Sequence, residues 1–303
     1  MLTTKIKDIE FKSPILTASG TFGYGHEVQD LTDGNMLGGV ITKSITLHPR
    51  EGNPPPRISE TPSGMLNSIG LANVGVNEFC KLKLDYLNKL KTNVIINIAG
   101  STIDEYIETL KIIENSDGNH IGYEINVSCP NVKEGGMAFG VKPEITEKLT
   151  KSLRKLTSKL LIVKLSPNVT KIEDIARASE QGGADSVSAI NTVVGMGIDI
   201  KSCKPVLNTV FGGLSGPAIK PIALANVHKI YKSVKIPIIG IGGISTVEDI
   251  IEFILAGASL IQIGTLNFKE PNIGYSLRDE LIEYCKTNNV LNLQDLCGGI
   301  DYL

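Results

Sequence analysis

The sequence is poor in the residues that build metal centres. Its five cysteines, Cys80, Cys129, Cys203, Cys285 and Cys297, include no C-x-x-C pair, and its four histidines form no visible constellation. Zinc sites and iron–sulfur clusters depend on closely spaced ligands of these types. We therefore predict no metal ligands in this chain, and any metal centre would have to come from a partner.

Long apolar runs and an excess of basic charge are also missing. The longest apolar stretches, such as LLIV and IPIIGIGGI, are far shorter than the roughly 20 residues that a membrane-spanning helix needs. The start, MLTTKIKDIEFKSP, lacks the charged and then apolar pattern of a signal peptide. The net charge is −2 without a basic stripe, which argues against nucleic acid as a partner. We expect a cytoplasmic protein that does not bind membranes.

What the chain does contain is a series of short, β-branched apolar runs that end in small or polar residues. There are eight: PILTAS (14–19), GVITKS (39–44), VIINIAG (94–100), YEINVSCP (123–130), LIVKLSP (161–167), SVSAINT (186–192), IPIIGIGG (236–243) and LIQIGT (260–265). Several are continuously apolar, as are parallel strands that are covered on both faces. They therefore predict a parallel sheet.

Amphipathic helical stretches separate the later runs, at 144–159, 171–183, 222–234 and 246–258, the last between Ser245 or Thr246 and Gly257. The alternation predicts an α/β fold, a single (β/α)8 TIM barrel over residues 1–303. Long insertions would follow strands two and six, at 45–93 and 193–235. A doubly wound sheet is the alternative, but no G-x-G-x-x-G follows the first strand.

The polar residues at the strand ends indicate the chemistry, because barrel active sites lie there. They are Ser19, Lys43, Ser44, Asn97, Asn126, Cys129, Lys164, Asn191 and Thr192. The set has no histidine and no carboxylate pair, so a metal hydrolase or a glycosidase is poorly supported. Asparagines suit the alternating C=O and N–H edge of a flat heterocycle. We place both lysines inside barrel strands, where a buried lysine needs a negatively charged partner.

The last two strand ends indicate a phosphate site. Gly242, Gly243 and Gly264 free backbone N–H groups, and Thr265 adds a hydroxyl, at the position where barrels often bind phosphate. A phosphate site, a lysine near a planar group and a thiol together suggest flavin mononucleotide (FMN). A reduced flavin carries negative charge near N1 and O2, and Lys164 is the better candidate to stabilise it.

The cysteines fall into two groups. A cysteine in an apolar context is most often a small core residue, and we assign that role to Cys80, Cys203, Cys285 and Cys297. Cys129 instead follows the run YEINV and precedes Pro130, at a strand end. We therefore predict that Cys129 is a reactive thiol.

Six motifs, in order along the chain, resemble one family. They are NSIGLAN (67–73), NVSCPNVKEGG (126–136), KLSPNVT (164–170), INTVVGM (190–196), GGLSGPAIKP (212–221) and IIGIGGI (238–244). Together they resemble the class 1 dihydroorotate dehydrogenases, and the resemblance extends from ASGTFGYG at 18–25 to AGASLIQIGT at 256–265. Cys129, where class 2 enzymes have serine, implies class 1. Three of the motifs look like the NAD-linked type B and not the fumarate-linked type A.

The resemblance implies oxidation of dihydroorotate to orotate in pyrimidine synthesis, with Cys129 taking the C5 proton and one bound FMN the C6 hydride. It implies that substrate is bound by Lys43, Asn67, Ser68, Ile69, Gly70, Leu71, Asn126, Asn191 and Thr192. It implies that FMN is bound by Ser19, Lys43, Ser44, Asn97, Asn126, Lys164, Ile190, Gly216, Gly242, Gly243, Gly264 and Thr265. A lid would span 131–140, with Gly135 and Gly136 as hinges.

The resemblance also implies a partner subunit that carries FAD and a [2Fe–2S] cluster, in a heterotetramer built on a catalytic dimer. Two kinds of alternative function stay open. One is another FMN barrel with a catalytic cysteine, such as a dihydropyrimidine dehydrogenase, a tRNA dihydrouridine synthase or a type A enzyme. The other is a flavin-free phosphate-binding isomerase or lyase, which gives no role to Cys129 together with Lys164.

Overall fold

The computed structural model describes residues 1–128 and 139–301. The strands are β1 (Thr4–Ile6), β2 (Ile9–Phe11), β3 (Ile15–Thr17), β4 (Gly39–Ile41), β5 (Ile58–Thr61), β6 (Gly64–Asn67), β7 (Asn93–Ile98), β8 (Gly122–Asn126), β9 (Leu160–Leu165), β10 (Ser186–Ala189), β11 (Val193–Met196), β12 (Ile198–Asp199), β13 (Lys204–Pro205), β14 (Phe211–Ser215), β15 (Ile238–Ile241) and β16 (Leu260–Ile263). The α-helices are α1 (Gly75–Leu82), α2 (Leu84–Lys89), α3 (Ile103–Glu114), α4 (Pro143–Arg154), α5 (Ile172–Gln181), α6 (Lys220–Tyr231), α7 (Val247–Ala256), α8 (Leu266–Lys269) and α9 (Ile273–Thr287). Short 3₁₀ turns cover His26–Val28, Gly34–Met36, Pro217–Ile219 and Leu293–Leu296.

Eight parallel strands close into a barrel in chain order: β3, β4, β7, β8, β9, β10, β15, β16 and back to β3. Each matches one of the eight predicted apolar runs, and none begins more than one residue before its run, so the predicted (β/α)8 barrel is confirmed. The four predicted helices correspond to α4, α5, α6 and α7. Thr246 caps α7 in a capping box with Asp249, and Gly257 ends the helix with φ of 117°, as their residue types predict.

An antiparallel hairpin of β1 and β2 closes the amino end of the barrel. Ile6 and Phe11 pack in one buried cluster with inward-facing residues of six strands: Leu16, Ile41, Ile95, Leu160, Ile239 and Leu260. The hairpin is also held by a hydrogen bond from Asn93 Nδ2 to Glu10 O (2.8 Å). This apolar cluster forms the floor of the barrel.

Strand β9 shows how the interior changes along the barrel axis. Leu160 and Ile162 belong to the floor, whereas Leu161, Val163 and Leu165 belong to the larger cluster between strands and helices. Successive strand side chains alternate between faces, so Lys164 points inward, above Ile162. The same alternation directs Asn97, Glu124, Ser188 and Gln262 inward from β7, β8, β10 and β16. The interior is therefore apolar at the amino end and polar towards the carboxyl end.

The two predicted insertions follow β4 and β10, and they pair with one another. They contribute β5 and β6, and β11 and β14, to one antiparallel sheet in the order β11-β14-β6-β5. Sequence patterns gave no sign of this pairing. In the part of the chain that the structure describes, no helix is both long enough and apolar enough to cross a membrane.

Candidate active site

A buried ion pair lies in the polar part of the barrel interior towards the carboxyl ends of the strands, here called the upper interior. Lys164 Nζ is 3.9 Å from Glu124 Oε1, and the two side chains are 6% and 0% exposed. Lys164 Nζ also donates a hydrogen bond to Ser19 Oγ (3.1 Å), which joins the strand β9 to the loop after β3. The negatively charged partner that the sequence requires for Lys164 is therefore Glu124.

Glu124 also fixes the orientation of Asn97. A carboxylate oxygen only accepts hydrogen bonds, so the atom of Asn97 that lies 2.6 Å from Glu124 Oε1 must be Nδ2. Asn97 Oδ1 then accepts a hydrogen bond from the Ser44 hydroxyl (2.6 Å). Predicted FMN residues from three strand ends, Ser44, Asn97 and Lys164, are thus connected through one carboxylate.

The predicted substrate residues Asn126, Asn191 and Thr192 form a second group. Asn191 Nδ2 donates to Asn126 Oδ1 (3.3 Å), and the Thr192 N–H donates to Asn191 Oδ1 (2.7 Å). Asn126 pairs with Lys164 in the β8–β9 register, so this group adjoins the ion pair. It lies where β8, β9 and β10 end.

The insertion sheet brings Asn67 to this second group. Asn67 Nδ2 donates to Gly213 O (3.3 Å) across β6 and β14. A Cβ atom on Gly213 would lie 2.0 Å from Thr192 Oγ1, so glycine at 213 lets β14 approach Thr192 this closely. Asn67, Asn191 and Thr192 therefore lie in one region.

The loop after β6 provides hydrogen-bond donors. Within the described residues, the backbone N–H groups of Ile69, Gly70 and Leu71 donate no hydrogen bond, and the buried Ser68 hydroxyl has no partner. Gly70 and Leu71 have φ of 75° and 58°, a left-handed pair that is costly for leucine. Successive N–H groups in such a turn form a concave site for an anion. This supports the predicted contact with a carboxylate.

Lys43 differs from the prediction. It lies two residues beyond the end of β4, not inside the strand, because its N–H donates to Gly23 O (2.8 Å) and not to a neighbouring strand. Its half-buried Nζ makes no hydrogen bond or ion pair with any described residue. Burial lowers the pKa of Lys43, the Glu27 carboxylate raises it and the nearby Arg57 guanidinium lowers it further. Such an ammonium favours an anionic ligand.

The predicted phosphate residues lie beside the insertion sheet. Thr265 Oγ1 donates to Ser215 Oγ (2.8 Å). A Cβ on Gly243, which has φ of 77°, would lie 2.8 Å from Gly216 O, so glycine is required where these two loops meet. Among the described residues, the N–H groups of Gly243, Gly264 and Thr265 donate no hydrogen bond. Gly242 and Ile190 are buried beside them, at the ends of β15 and β10.

Cys129 and most of the predicted lid, including Gly135 and Gly136, lie outside the described residues. Of the other cysteines, Cys285 is buried, and Cys80 and Cys297 are partly buried. The core assignment was wrong for Cys203, which is exposed in the β12–β13 hairpin. Residues 198–205 are all exposed, and the neighbours Lys201, Ser202 and Lys204 are polar, so the segment gave no support for a core role.

Sequence analysis missed two residues of the site. Glu124 was overlooked because it does not end its strand: it lies two residues before Asn126, the last residue of β8, on the same inward face. Arg57 was overlooked because nothing in the sequence relates it to Lys43. Alternation within YEINV would have identified the first residue, and no sequence signal identifies the second.

Comparison with known proteins decides between the families considered above. The protein-family model of dihydroorotate dehydrogenase matches residues 1–285. The chain belongs to the dihydroorotate dehydrogenase family. The resemblance that its motifs carry is therefore confirmed.

Relatives agree with this assignment, and a solved structure shares the fold. Proteins named "Dihydroorotate dehydrogenase B (NAD(+)), catalytic subunit" are 49% identical in Bacteroides thetaiotaomicron, over 99% of both chains, and 48% identical in Thermoanaerobacter pseudethanolicus, over 99% of this chain and 98% of the relative. A crystal structure of DHODH from Eimeria tenella, in complex with ferulenol, has a TM-score of 0.80 and 24% identity, and covers 98% of this chain and 88% of that one. That similarity shows a shared fold.

The described residues fit FMN, the cofactor that is typical of this family. Unpaired N–H groups at Gly243, Gly264 and Thr265 suit a phosphate, and the second N–H of Asn97 is free within the described chain. A Cβ on Gly20, next to Ser19, would meet no described atom within 4 Å, so this loop borders open space. The buried Lys164 ammonium adds the positive charge that a reduced flavin favours.

Proposed function

We propose that this chain oxidises (S)-dihydroorotate to orotate in pyrimidine synthesis, with FMN as the hydride acceptor, and that residues 1–303 act as a single FMN-binding unit. The observation that supports this most is the buried Lys164–Glu124 pair, which adjoins the linked asparagines Asn97, Asn126 and Asn191 in a chain of this family. That arrangement offers one fixed ammonium group and a row of donors and acceptors to a flat heterocycle.

The FMN site in this proposal lies between the two groups of strand ends. Gly216, Gly242, Gly243, Gly264 and Thr265 hold the phosphate through backbone N–H groups and a hydroxyl. Ser19, Ser44, Asn97, Lys164 and Ile190 contact the ring system, with Lys43 and Asn126 between cofactor and substrate. When bound, FMN supplies the acceptor for the hydride that leaves C6 of dihydroorotate.

Substrate binding falls to the neighbouring group. Lys43 and the free N–H groups of Ile69, Gly70 and Leu71, with the Ser68 hydroxyl, receive the carboxylate. Asn67, Asn126, Asn191 and Thr192 hydrogen-bond the pyrimidine edge. Since two cations, Lys43 and Arg57, lie near this loop, an anionic substrate is favoured there over a neutral one.

Cys129 is the base in this proposal, and its role is carried over from the family's motif. Its thiolate takes the proton from C5 as the hydride leaves C6, so dihydroorotate loses one proton and one hydride and becomes orotate. A free cysteine with a pKa of about 8.5 would be only a few per cent thiolate at neutral pH. Closure of residues 131–140 over the site is proposed to favour the thiolate.

The first test is a visible spectrum of the purified chain before and after addition of dihydroorotate without oxygen. Oxidised flavins absorb near roughly 370 and 450 nm, and loss of both bands would support cofactor and substrate together. A flavin spectrum that dihydroorotate leaves unchanged would favour another FMN barrel. A colourless protein would favour the isomerase or lyase.

The base is tested by Cys129→Ser, with the exposed Cys203→Ser as the matched control. We expect Cys129→Ser to retain FMN but to slow its reduction by well over tenfold, because a serine hydroxyl is a far weaker acid than a thiol. Cys203→Ser should behave as the wild type. Equal reduction rates in the two variants, measured by stopped flow, would remove Cys129 from the mechanism.

Electron transfer onward needs a second chain in this proposal. The partner subunit carries FAD and a [2Fe–2S] cluster and passes electrons to NAD, in a cytoplasmic heterotetramer built on a dimer of this chain. The isolated chain should then reduce artificial acceptors with dihydroorotate but not NAD. Efficient reduction of NAD by the isolated chain would exclude the two-subunit arrangement, and fumarate reduction would favour type A.

A further inference from the structure

Glu124 is a buried carboxylate to which the reaction above gives no role. It is 0% exposed in β8 and accepts three hydrogen bonds: from Asn97 Nδ2 (2.6 Å), Gln262 Nε2 (2.7 Å) and Ser188 Oγ (2.8 Å). Lys164 Nζ lies 3.9 Å from the oxygen that Asn97 contacts. A carboxylate buried this deeply costs free energy unless it is paired and hydrogen-bonded, as it is here.

The two oxygens of Glu124 face different parts of the barrel. Oε2 accepts hydrogen bonds from Ser188 and Gln262, and neither residue is proposed to hold FMN. Oε1 accepts a hydrogen bond from Asn97 and lies next to Lys164, and both of these residues are proposed to hold FMN. One oxygen is therefore anchored to the barrel, while the other organises the cofactor side.

Because Glu124 accepts and cannot donate, it fixes the direction of a chain of hydrogen bonds. Asn97 must turn Nδ2 towards Glu124, so Asn97 Oδ1 receives the Ser44 hydroxyl. Asn97 is then left with one N–H to offer, and Ser44 with oxygen lone pairs. An unconstrained amide could present either its oxygen or its nitrogen to the same ligand.

The charge of Glu124 acts on Lys164. With Glu124 ionised, the pair carries no net charge, so the positive potential that Lys164 creates at its Nζ is reduced by a fixed negative charge a few ångströms away. A group that gains negative charge on reduction is stabilised less by such a pair than by a lone ammonium.

We infer that Glu124 is a positioning residue of the FMN site, which orients Asn97 and Ser44 through one carboxylate oxygen and sets how strongly Lys164 favours the reduced cofactor. The inference rests on the proposed function, since it assumes that FMN lies against Asn97 and Lys164. It goes further, because it assigns to a residue without ligand contact both the affinity for the oxidised cofactor and the reduction potential.

Two variants of Glu124 separate the effect of its contact with Asn97 from the effect of its charge. Glu124→Gln keeps an acceptor for Asn97 and removes the charge, and Gln262 Oε1, which has no partner among the described atoms, is available to accept from the new amide. Glu124→Asp keeps the charge but withdraws it from Asn97 by one methylene. Ser188→Ala is the matched control, because it removes one donor to Oε2 and leaves the Oε1 side intact.

The readouts are the dissociation constant of oxidised FMN, from flavin fluorescence, and the reduction potential of bound FMN, from dye equilibration. For Glu124→Gln we expect affinity within about threefold of wild type and a more positive potential, by at least a tenfold preference for reduced FMN, about 30 mV for a two-electron couple. For Glu124→Asp we expect affinity to fall at least fivefold with a potential near that of wild type. Ser188→Ala should change neither.

Each result decides the inference. It is overturned if Glu124→Gln has the potential of Ser188→Ala or a more negative one, or if folded Glu124→Asp binds FMN as wild type does. If Glu124→Gln does not fold, the affinity and potential of Glu124→Asp decide alone. If wild type binds no FMN, or if its bound FMN is not reduced by dihydroorotate, the proposed function fails instead, and the two failures are told apart.

Discussion

The floor and the upper interior of the barrel are built by the same strands but serve different ends. On the inward face of β9, Leu160 and Ile162 are fully buried among apolar side chains, and two residues later Lys164 is buried beside Glu124. The floor offers nothing to a polar ligand, and the upper interior gains little from the hydrophobic effect. Stability and chemistry are therefore separated along the barrel axis, by about two residues of each strand.

The largest effect on stability should come from creating a cavity in the floor of the barrel. Phe11→Ala removes a fully buried ring that joins the hairpin to six strands, and should lower the free energy of unfolding by about 3–5 kcal/mol. In the folded fraction, the affinity for FMN should stay within about twofold of wild type, since no polar contact is lost. Phe11→Leu, which fills most of the volume, should cost about 1 kcal/mol. A large loss of FMN affinity in either variant would contradict the separation.

His120, a buried histidine near the amino end of β8, gives a second test of this separation. Its Nε2 lies 2.7 Å from Tyr123 Oη, which donates to Glu114, and burial, with Lys159 nearby, lowers the pKa of His120 from 6.5 to about 4. Between these values the unfolded chain binds the proton and the folded chain does not, so stability falls as pH falls through this window. At about 1.4 kcal/mol per unit, His120 should account for about 3 kcal/mol.

The measurement is urea unfolding of wild type and His120→Gln at pH 7.5 and pH 4.5. The glutamine variant should lose some stability at the higher pH, where a hydrogen bond to Tyr123 is weakened, and should show a shallower acid decline. The reduction potential of bound FMN should not change, because His120 lies at the amino end. Parallel declines in the two proteins would remove His120 as the cause.

Breaking the ion pair should lower stability less and alter the cofactor more. Lys164→Met keeps most of the side-chain volume but leaves Glu124 buried without its counter-charge. Removal of one partner of a buried pair costs roughly 3–5 kcal/mol, and we expect about 2–3 kcal/mol because Glu124 retains three hydrogen bonds. FMN should bind at least tenfold more weakly or have a lower potential. Full FMN occupancy at the wild-type potential would exclude Lys164 from the site.

The barrel could be predicted from the sequence because its information is local. A parallel strand covered on both faces is a continuous apolar run, and eight such runs specify eight strands wherever they pair. The polar residues that end the runs could be named for the same reason. Asn97, Asn126 and Lys164 lie inside their strands, as the length of the apolar run before each one indicates.

What could not be predicted depends on contacts between distant segments. Ser215 and Met65, which meet in the insertion sheet, are 150 residues apart, and neither segment has a sequence pattern that indicates the other as its partner. Lys43 was placed inside a strand because the β-branched residues of GVITKS continue up to Thr42, yet β4 ends at Ile41 and the Lys43 N–H donates to Gly23 O instead of a neighbouring strand. The partner of Lys164 was foreseen by electrostatics, but its identity as Glu124 needed the barrel register.

Lys43 provides the smallest expected effect on stability and sharpens the contrast with Lys164. Its ammonium is half-buried and makes no ion pair with any described residue, so Lys43→Met should change the free energy of unfolding by no more than about 0.5 kcal/mol. Orotate should nevertheless bind at least tenfold more weakly, because a cation near the free N–H groups of residues 69–71 is lost. Burial lowers the pKa of Lys43, so Lys43 loses its proton as pH rises before pH 10.5 is reached. Orotate affinity in wild type should therefore start to decline, as pH rises, before pH 10.5. This decline should be absent from Lys43→Met. Titration calorimetry with orotate across the alkaline range measures both quantities. A Lys43→Met protein that binds orotate as wild type does would assign the carboxylate to Arg57 and the loop alone.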